Sequence, residues 1–269
     1  MQPKLSRSYR GVYPFKLSVP SFVYPASWAD NVRALGPFVD EIELLLLESG
    51  RESLPSKTQI HELSVLADAL ELTFNVHLPT DIFPGHSDAS IRRRAADALR
   101  RVLGLVGPLA PSTCTLHLTP SADIQTADQI ASWRDRLRED LEQIFSSGFL
   151  PEQISVENLF YPFDWSEPVI AGLGLFVCMD VGHLMVSGMD AGHFFEAWRH
   201  RISIMHLHGV KANQDHLGLD RLNPVQMETV LKMLTRYRGI VSIEVFSFSG
   251  LSSSLATLEK NWNMLTTLN

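Results

Sequence analysis

Short apolar runs recur along this chain, separated by stretches with helical spacing, and this alternation limits the possible folds more than any other property of the sequence. The runs are Phe15–Val19, Glu41–Glu48, Thr73–Leu78, Thr113–Leu118, Ile154–Leu159, Phe176–Met179 closed by Asp180, Ile202–Val210 and Ile240–Phe246. Such runs suit buried strands and are too short for most helices. Between them the spacing predicts helices over Ala26–Leu35, Ser56 or Lys57–Leu70, Ser87–Val106, Thr126–Ser146, Trp165–Ala171, Asp190–His200, Pro224–Tyr237 and Ser252–Leu268. Pro224 suits a first helical turn, and Gly148 suits a helix C-terminus.

Eight strands alternating with eight helices predict an α/β fold, a (β/α)8 TIM barrel, with residues 1–269 as a single domain. A doubly wound open sheet fits less well, because no glycine-rich phosphate loop follows any of the runs. The chain is acidic, with a net charge of −7 and no block of like charge, which argues against a nucleic-acid partner bound through a broad basic surface. Two cysteines, Cys114 and Cys178, are too few for a disulfide framework and suit a reducing, cytoplasmic setting. Pro14, Lys16 and Pro20 interrupt any apolar leader after Lys4, Arg7 and Arg10, and no run approaches the length of a membrane span.

In a barrel of this kind the chemistry sits at the C-terminal ends of the strands. The predicted strands end in or near His77, His117, Glu157, Asp180 with His183, His206 with His208, and Glu244, and the segment after the seventh adds Asp215 and His216. Six of the ten histidines fall in this set, whereas His61, His86, His193 and His200 lie on predicted helices or in a loop. One strand-end histidine is ordinarily a hydrogen-bonded structural residue. Nitrogen or oxygen ligands at six strand ends instead point to a metal centre, since a buried carboxylate is costly without a partner. Asp180 and His183 are expected to share an ion where the chain turns at Gly182.

Glu157, Asp180, His206 and Glu244 suffice for one divalent ion such as zinc or manganese. His77, His117, His183, Asp215 and His216 then suit further ions, and several ions in one site suit phosphoester hydrolysis. His208 shares the parity of His206 and is a candidate catalytic residue beside Glu157 and Glu244. Cys178 is expected in the core, Glu48 at the surface, and Arg92, Arg93, Arg94, Arg100 and Arg101 on a solvated helix face. Phe160, Tyr161, Phe163 and Trp165 are candidates for an apolar mouth.

The series His77-Leu78-Pro79, Leu116-His117, Glu157-Asn158, Asp180-x-x-His183, His206, Asp215-His216 and Glu244 resembles the AP endonuclease 2 / xylose isomerase-like TIM barrel superfamily, in particular its trinuclear zinc type. Asp215 and His216 are adjacent here, whereas that type separates the two ligands by one residue. The fuller wording EIELLLLE, NVHLP, SVENL, CMDVGHL, HLHGV, DHLGL and IEVFS is similar to the CbiR family of cobamide-remodelling enzymes. That resemblance implies a metal-dependent phosphodiesterase that cleaves the phosphoribosyl bond in the nucleotide loop of a cobamide and releases cobinamide phosphate and a riboside. The same barrel also runs single-ion sugar isomerisation or epimerisation, which needs no ligand at His77 or His117. An AP endonuclease-like hydrolase would need basic DNA-facing loops that this acidic chain lacks. A non-catalytic corrinoid or metal carrier is the reading from outside the enzymes.

Overall fold

A closed barrel of eight parallel strands forms the centre of the computed structural model, which describes residues 3–122 and 124–267. The chain runs through β1 (Lys16–Pro20), α1 (Trp28–Leu35), β2 (Glu41–Leu45), α2 (Lys57–Leu70), β3 (Thr73–His77), α3 (Ala89–Val106), β4 (Cys114–Leu116), α4 (Ala127–Phe145) and β5 (Ile154–Glu157). It continues through α5 (Glu167–Leu173), β6 (Phe176–Asp180), α6 (Val181–Val186), α7 (Ala191–Trp198), β7 (Ile202–Leu207), β8 (Gly209–Lys211), β9 (Gln214–Leu217), α8 (Pro224–Arg236), β10 (Ile240–Ile243) and α9 (Phe248–Thr267). Strands β1 to β7 pair in sequence, and β10 closes the ring between β7 and β1. The predicted alternation is therefore the observed one. Leu268, expected to end the last helix, lies outside the described residues.

Local chemistry sets the helix starts. Ser56 with Gln59, Thr126 with Gln129 and Asn223 with Gln226 form reciprocal capping boxes at α2, α4 and α8, satisfying amide groups that the first helical turn leaves unpaired. Pro224 occupies the first turn of α8, where no amide hydrogen is required.

Alternation along the strands divides the molecule into an apolar shell and a polar axis. Outward side chains such as Leu17, Ile42, Leu44, Phe74, Val76, Val156, Val177, Val241 and Ile243 are fully buried against the helices. Inside the barrel only Cys178, Ile204 and Ile240 form a small separate apolar cluster, which places Cys178 in the core as expected. Towards the N-terminal end of the strands the interior is hydrogen-bonded. Glu41 accepts from Thr73, Asn75 and Ser112 and pairs with Lys16, Asn75 also donates to Ser18, and Glu43 accepts from Ser242.

Two local expectations change. Gly182 is not a turn residue, because the chain passes directly from β6 into α6. Its missing Cβ serves space: one built there would stand 1.9 Å from Cε1 of His208. The arginines of α3 do not all face solvent. Arg92 pairs with the buried Asp140, and Arg101 donates to the carbonyl of Ser49, so these two tie α3 to its neighbours. Glu48 lies beyond the end of β2, exposed, and accepts from Ser53.

Candidate metal centre

Strand register brings the predicted residues to one rim. Asp180 pairs with His206 across β6 and β7, and His206 pairs with Ser242 of β10, so Glu244 emerges beside them. His77 ends β3, and His117 follows β4 by one residue. His77, Glu157, Asp180, His183, His206, His208 and Glu244 are all buried, while Asp215 and His216 are half-exposed at the mouth.

Glu157 occupies the middle. Its Oε2 lies 2.8 Å from Nε2 of His117 and 3.2 Å from Nε2 of His77, and its Oε1 lies 3.4 Å from Nδ1 of His183 and 3.6 Å from Nδ1 of His206. The two oxygens of one carboxylate thus face two different groups of donors. Donor atoms within 4.8 Å of one another occur in His77–His117–Glu157, in Glu157–Asp180–His183, in Glu43–His206–Glu244 and in His183–His208–His216.

Three histidines share one orientation. Nδ1 of His77 lies 2.9 Å from the carbonyl of Leu78, Nδ1 of His183 is 3.1 Å from that of Asn158, and Nδ1 of His216 is 3.2 Å from that of Glu244. Each Nδ1 therefore donates to the backbone and leaves Nε2 as the atom free to bind a metal, the usual second-layer arrangement around a metal-binding histidine. Nε2 of His183 stands 3.8 Å from Oδ2 of Asp215.

Asp180 does two jobs. Its Oδ1 caps the first turn of α6 by accepting from the backbone amide of His183 at 2.6 Å, so the Asp-x-x-His spacing sets the histidine in the capped turn. Nε2 of His208 meets the same carboxylate at 3.1 and 3.2 Å, while the amide of His216 donates to Nδ1 of His208. Both nitrogens of His208 are thereby engaged by the protein, and its ring lies behind Asp180, in the space that Gly182 leaves.

The adjacent pair Asp215-His216 reaches one cavity through backbone geometry. The hairpin β8–β9 carries both residues, and His216 has φ of 49°, in the left-handed region. In a regular strand neighbouring side chains point to opposite faces. The left-handed residue breaks that rule, and both side chains line the metal cavity.

The electrostatics suit a cation. Burial works to raise the carboxyls of Glu157, Asp180 and Glu244, but the imidazoles of His117 and His206, of His208 and His183, and of His206 respectively outweigh it and hold all three below their usual range. Burial works against a charge on His77, yet its contact with Glu157 holds the imidazole up at about 9. Nδ1 of His206 and Oε2 of Glu244 lie 3.1 Å apart, buried, and neither makes a hydrogen bond. Polar atoms left so are costly, and these two residues would offer a divalent ion a nitrogen and an oxygen ligand. The donor set fits nitrogen-oxygen coordination of zinc or manganese.

Glu43 was not among the residues expected here. Its Oε1 lies 3.0 Å from Nε2 of His206, on the side of the ring away from Glu244, and both groups are fully buried. The signal was present in the sequence: Glu41 and Glu43 share one parity inside the leucine-rich run EIELL. Asn158 is the other addition, bridging β5 and β6 through the amide and carbonyl of Asp180.

A cavity of about 600 Å³ opens over these residues, walled by Leu47, Leu159, Phe160, Tyr161 and Phe246. Phe160 and Tyr161 are at the mouth as expected. Phe163 is instead packed against Phe194 and Trp198, and Trp165 sits against Tyr161 and the core, because the short turn after β5 carries them outside the rim.

Residues 29–266 match the xylose isomerase-like TIM barrel model, and the chain belongs to that family. No curated protein sequence matches it significantly. Among solved structures, a D-tagatose 3-epimerase-like protein superposes with a TM-score of 0.76 at 19% identity, covering 94% of this chain and 99% of the other. L-ribulose 3-epimerase gives 0.67 at 19% identity and 94% coverage of both chains. The probable 3-DHS dehydratase AsbF from Bacillus anthracis gives 0.67 at 15% identity, covering 91% and 98%. At such identities the likeness is one of fold. The structures it superposes on are mostly named as sugar epimerases or isomerases. No helix among the described residues is long and apolar enough to cross a membrane.

Proposed function

We propose that this protein is a metal-dependent phosphodiesterase that uses more than one divalent ion and acts on the nucleotide loop of a cobamide. The observation that carries the reading is Glu157, whose Oε2 faces Nε2 of both His77 and His117 while its Oε1 faces Nδ1 of His206. One ion would be held by His77, His117 and Glu157, a second by Glu157, Asp180, His206 and Glu244, and a third by His183, Asp215 and His216. Divalent ions in such a site neutralise charge on the attacked phosphate and make water a nucleophile at neutral pH.

The protein's own part is to hold these donors in place before substrate arrives. His208 fixes Asp180, Asn158 ties β5 to β6, and the ionised Glu244 at the foot of the cavity completes the carboxylate side of the second ion's donor set. Water adds to phosphorus, the phosphorus–oxygen bond on the ribose side breaks, a proton of the water passes to the departing ribose oxygen, and the products are cobinamide phosphate and the riboside. The cobamide itself rests on the resemblance of the sequence and on the apolar walls of the mouth.

A second reading has its own support. The sugar epimerases that share the fold favour a single-ion epimerase, with Glu157, Asp180, His206 and Glu244 as the ion's ligands and a glutamate moving a proton beside a carbonyl. It leaves His77 and His117 without a role. Mass spectrometry of a cobamide incubated with the metal-loaded protein separates the two. Cobinamide phosphate with free riboside is the expected result. An intact cobamide at confirmed metal occupancy, with turnover of a ketose, establishes the epimerase instead. His117→Ala is expected to lower phosphodiester cleavage at least 100-fold, whereas an epimerase would keep its rate.

A further inference from the structure

Four phenylalanines are exposed among the described residues, and all four follow the C-terminal end of a barrel strand: Phe22 after β1, Phe83 after β3, Phe160 after β5 and Phe246 after β10. Leu47, after β2, joins them at 41% exposure. A large apolar side chain left in water forgoes the free energy of burial, and the concentration of such phenylalanines on one rim marks a binding surface.

A second cavity, of about 390 Å³, lies on the β1–β2 side of this rim. Phe22 and Trp28 supply its aromatic walls, Glu48 and Gln59 its polar edge, and Leu47 lines both this cavity and the one over the metal ligands. The two spaces thus adjoin across a single side chain. A monosaccharide over the ligands is too small to span them.

We propose that the second cavity is a specificity subsite for the planar heteroaromatic end of a bipartite substrate, whose phosphodiester lies over the metal ligands. This rests on the phosphodiesterase reading and assigns the base of the departing riboside to the Phe22–Trp28 cavity. Aromatic faces suit a flat ring, since ring pairs stack with offset or edge-on geometry. The side-chain NH2 of Gln59, whose Oε1 accepts from the amide of Ser56, suits the unsubstituted nitrogen of the ring. The larger body of the substrate then rests on the far side of the mouth, against Phe160 and Phe246.

The test uses the two products, so that no turnover intervenes. Calorimetric titration of the metal-loaded protein with a benzimidazole riboside is expected to show binding that weakens at least 10-fold in Phe22→Ala and is retained in Phe22→Trp. Binding of cobinamide phosphate, which lacks the base, is expected to change less than 2-fold in both. Phe22 is 56% exposed, so neither change disturbs the core. Riboside binding that is absent in the parent protein, or indifferent to Phe22→Ala, overturns the subsite even if the cobamide is cleaved. The expected pattern in a protein that leaves the cobamide intact would overturn the phosphodiesterase and keep the subsite.

Discussion

Burial of charge decides the behaviour of single residues here. Oε1 of Glu43 lies 3.0 Å from the far nitrogen of His206, so a buried carboxylate flanks the ring whose near nitrogen faces Glu244. Outer partners of this kind are typically worth about 10–100-fold in metal affinity, so Glu43→Gln is expected to weaken zinc or manganese binding by that range in a calorimetric titration. His77 adds a pH dependence. Its imidazole, held up at about 9 beside Glu157, is protonated at neutral pH in the metal-free protein. An incoming ion must displace that proton from Nε2. Metal affinity is therefore expected to rise as pH increases from neutral towards 9, and a proton release measured in lightly buffered solution reports the same event. Gly182→Ala puts a methyl group where the His208 ring stands. It is expected to cost about 1–3 kcal/mol, read as a lower Tm, and to loosen Asp180.

At the scale of elements, the caps at the starts of the helices and the β8–β9 hairpin act independently. The Thr126–Gln129 box caps α4 with neither residue among the lining of the ligand cavity. Thr126→Ala is expected to cost about 0.5–2 kcal/mol in denaturant unfolding and to leave metal affinity unchanged. The capping residues were readable in the sequence, because Ser56, Thr126 and Pro224 act through their own chain neighbours. The hairpin was not readable. The run Ile202–Val210 looked like one strand, yet β7 ends at Leu207 and the chain folds back through a left-handed Ala212 to present Asp215 and His216. Nothing in the local sequence announces a left-handed histidine, a conformation that costs about 1–2 kcal/mol outside glycine and is held here by the bonds of His216 to His208 and Glu244.

The whole molecule is an apolar shell around a polar axis, so its stability is tied to what the axis holds. Glu43, Glu157, Asp180 and Glu244 are all nearly or fully buried within it. Ions that bind only the folded state stabilise it by about 2.7 kcal/mol when present at 100 times their dissociation constant. Chelation is accordingly expected to lower the Tm, and readdition of zinc or manganese to restore it, in differential scanning calorimetry.

The order of strands and helices was determined by the sequence alone, as was the gathering of His77, His117, Glu157, Asp180, His183, His206 and Glu244 at strand ends. Periodicity and strand ends are local properties, and in a parallel barrel every strand end faces the same rim. Tertiary structure decided the rest: Glu43 behind His206, Gly182 as room for His208, the convergence of Asp215 with His216, and the division of the aromatic residues between mouth and core. Each of these depends on the distance between side chains far apart in the chain, which is set by strand register and backbone conformation and which no local pattern encodes.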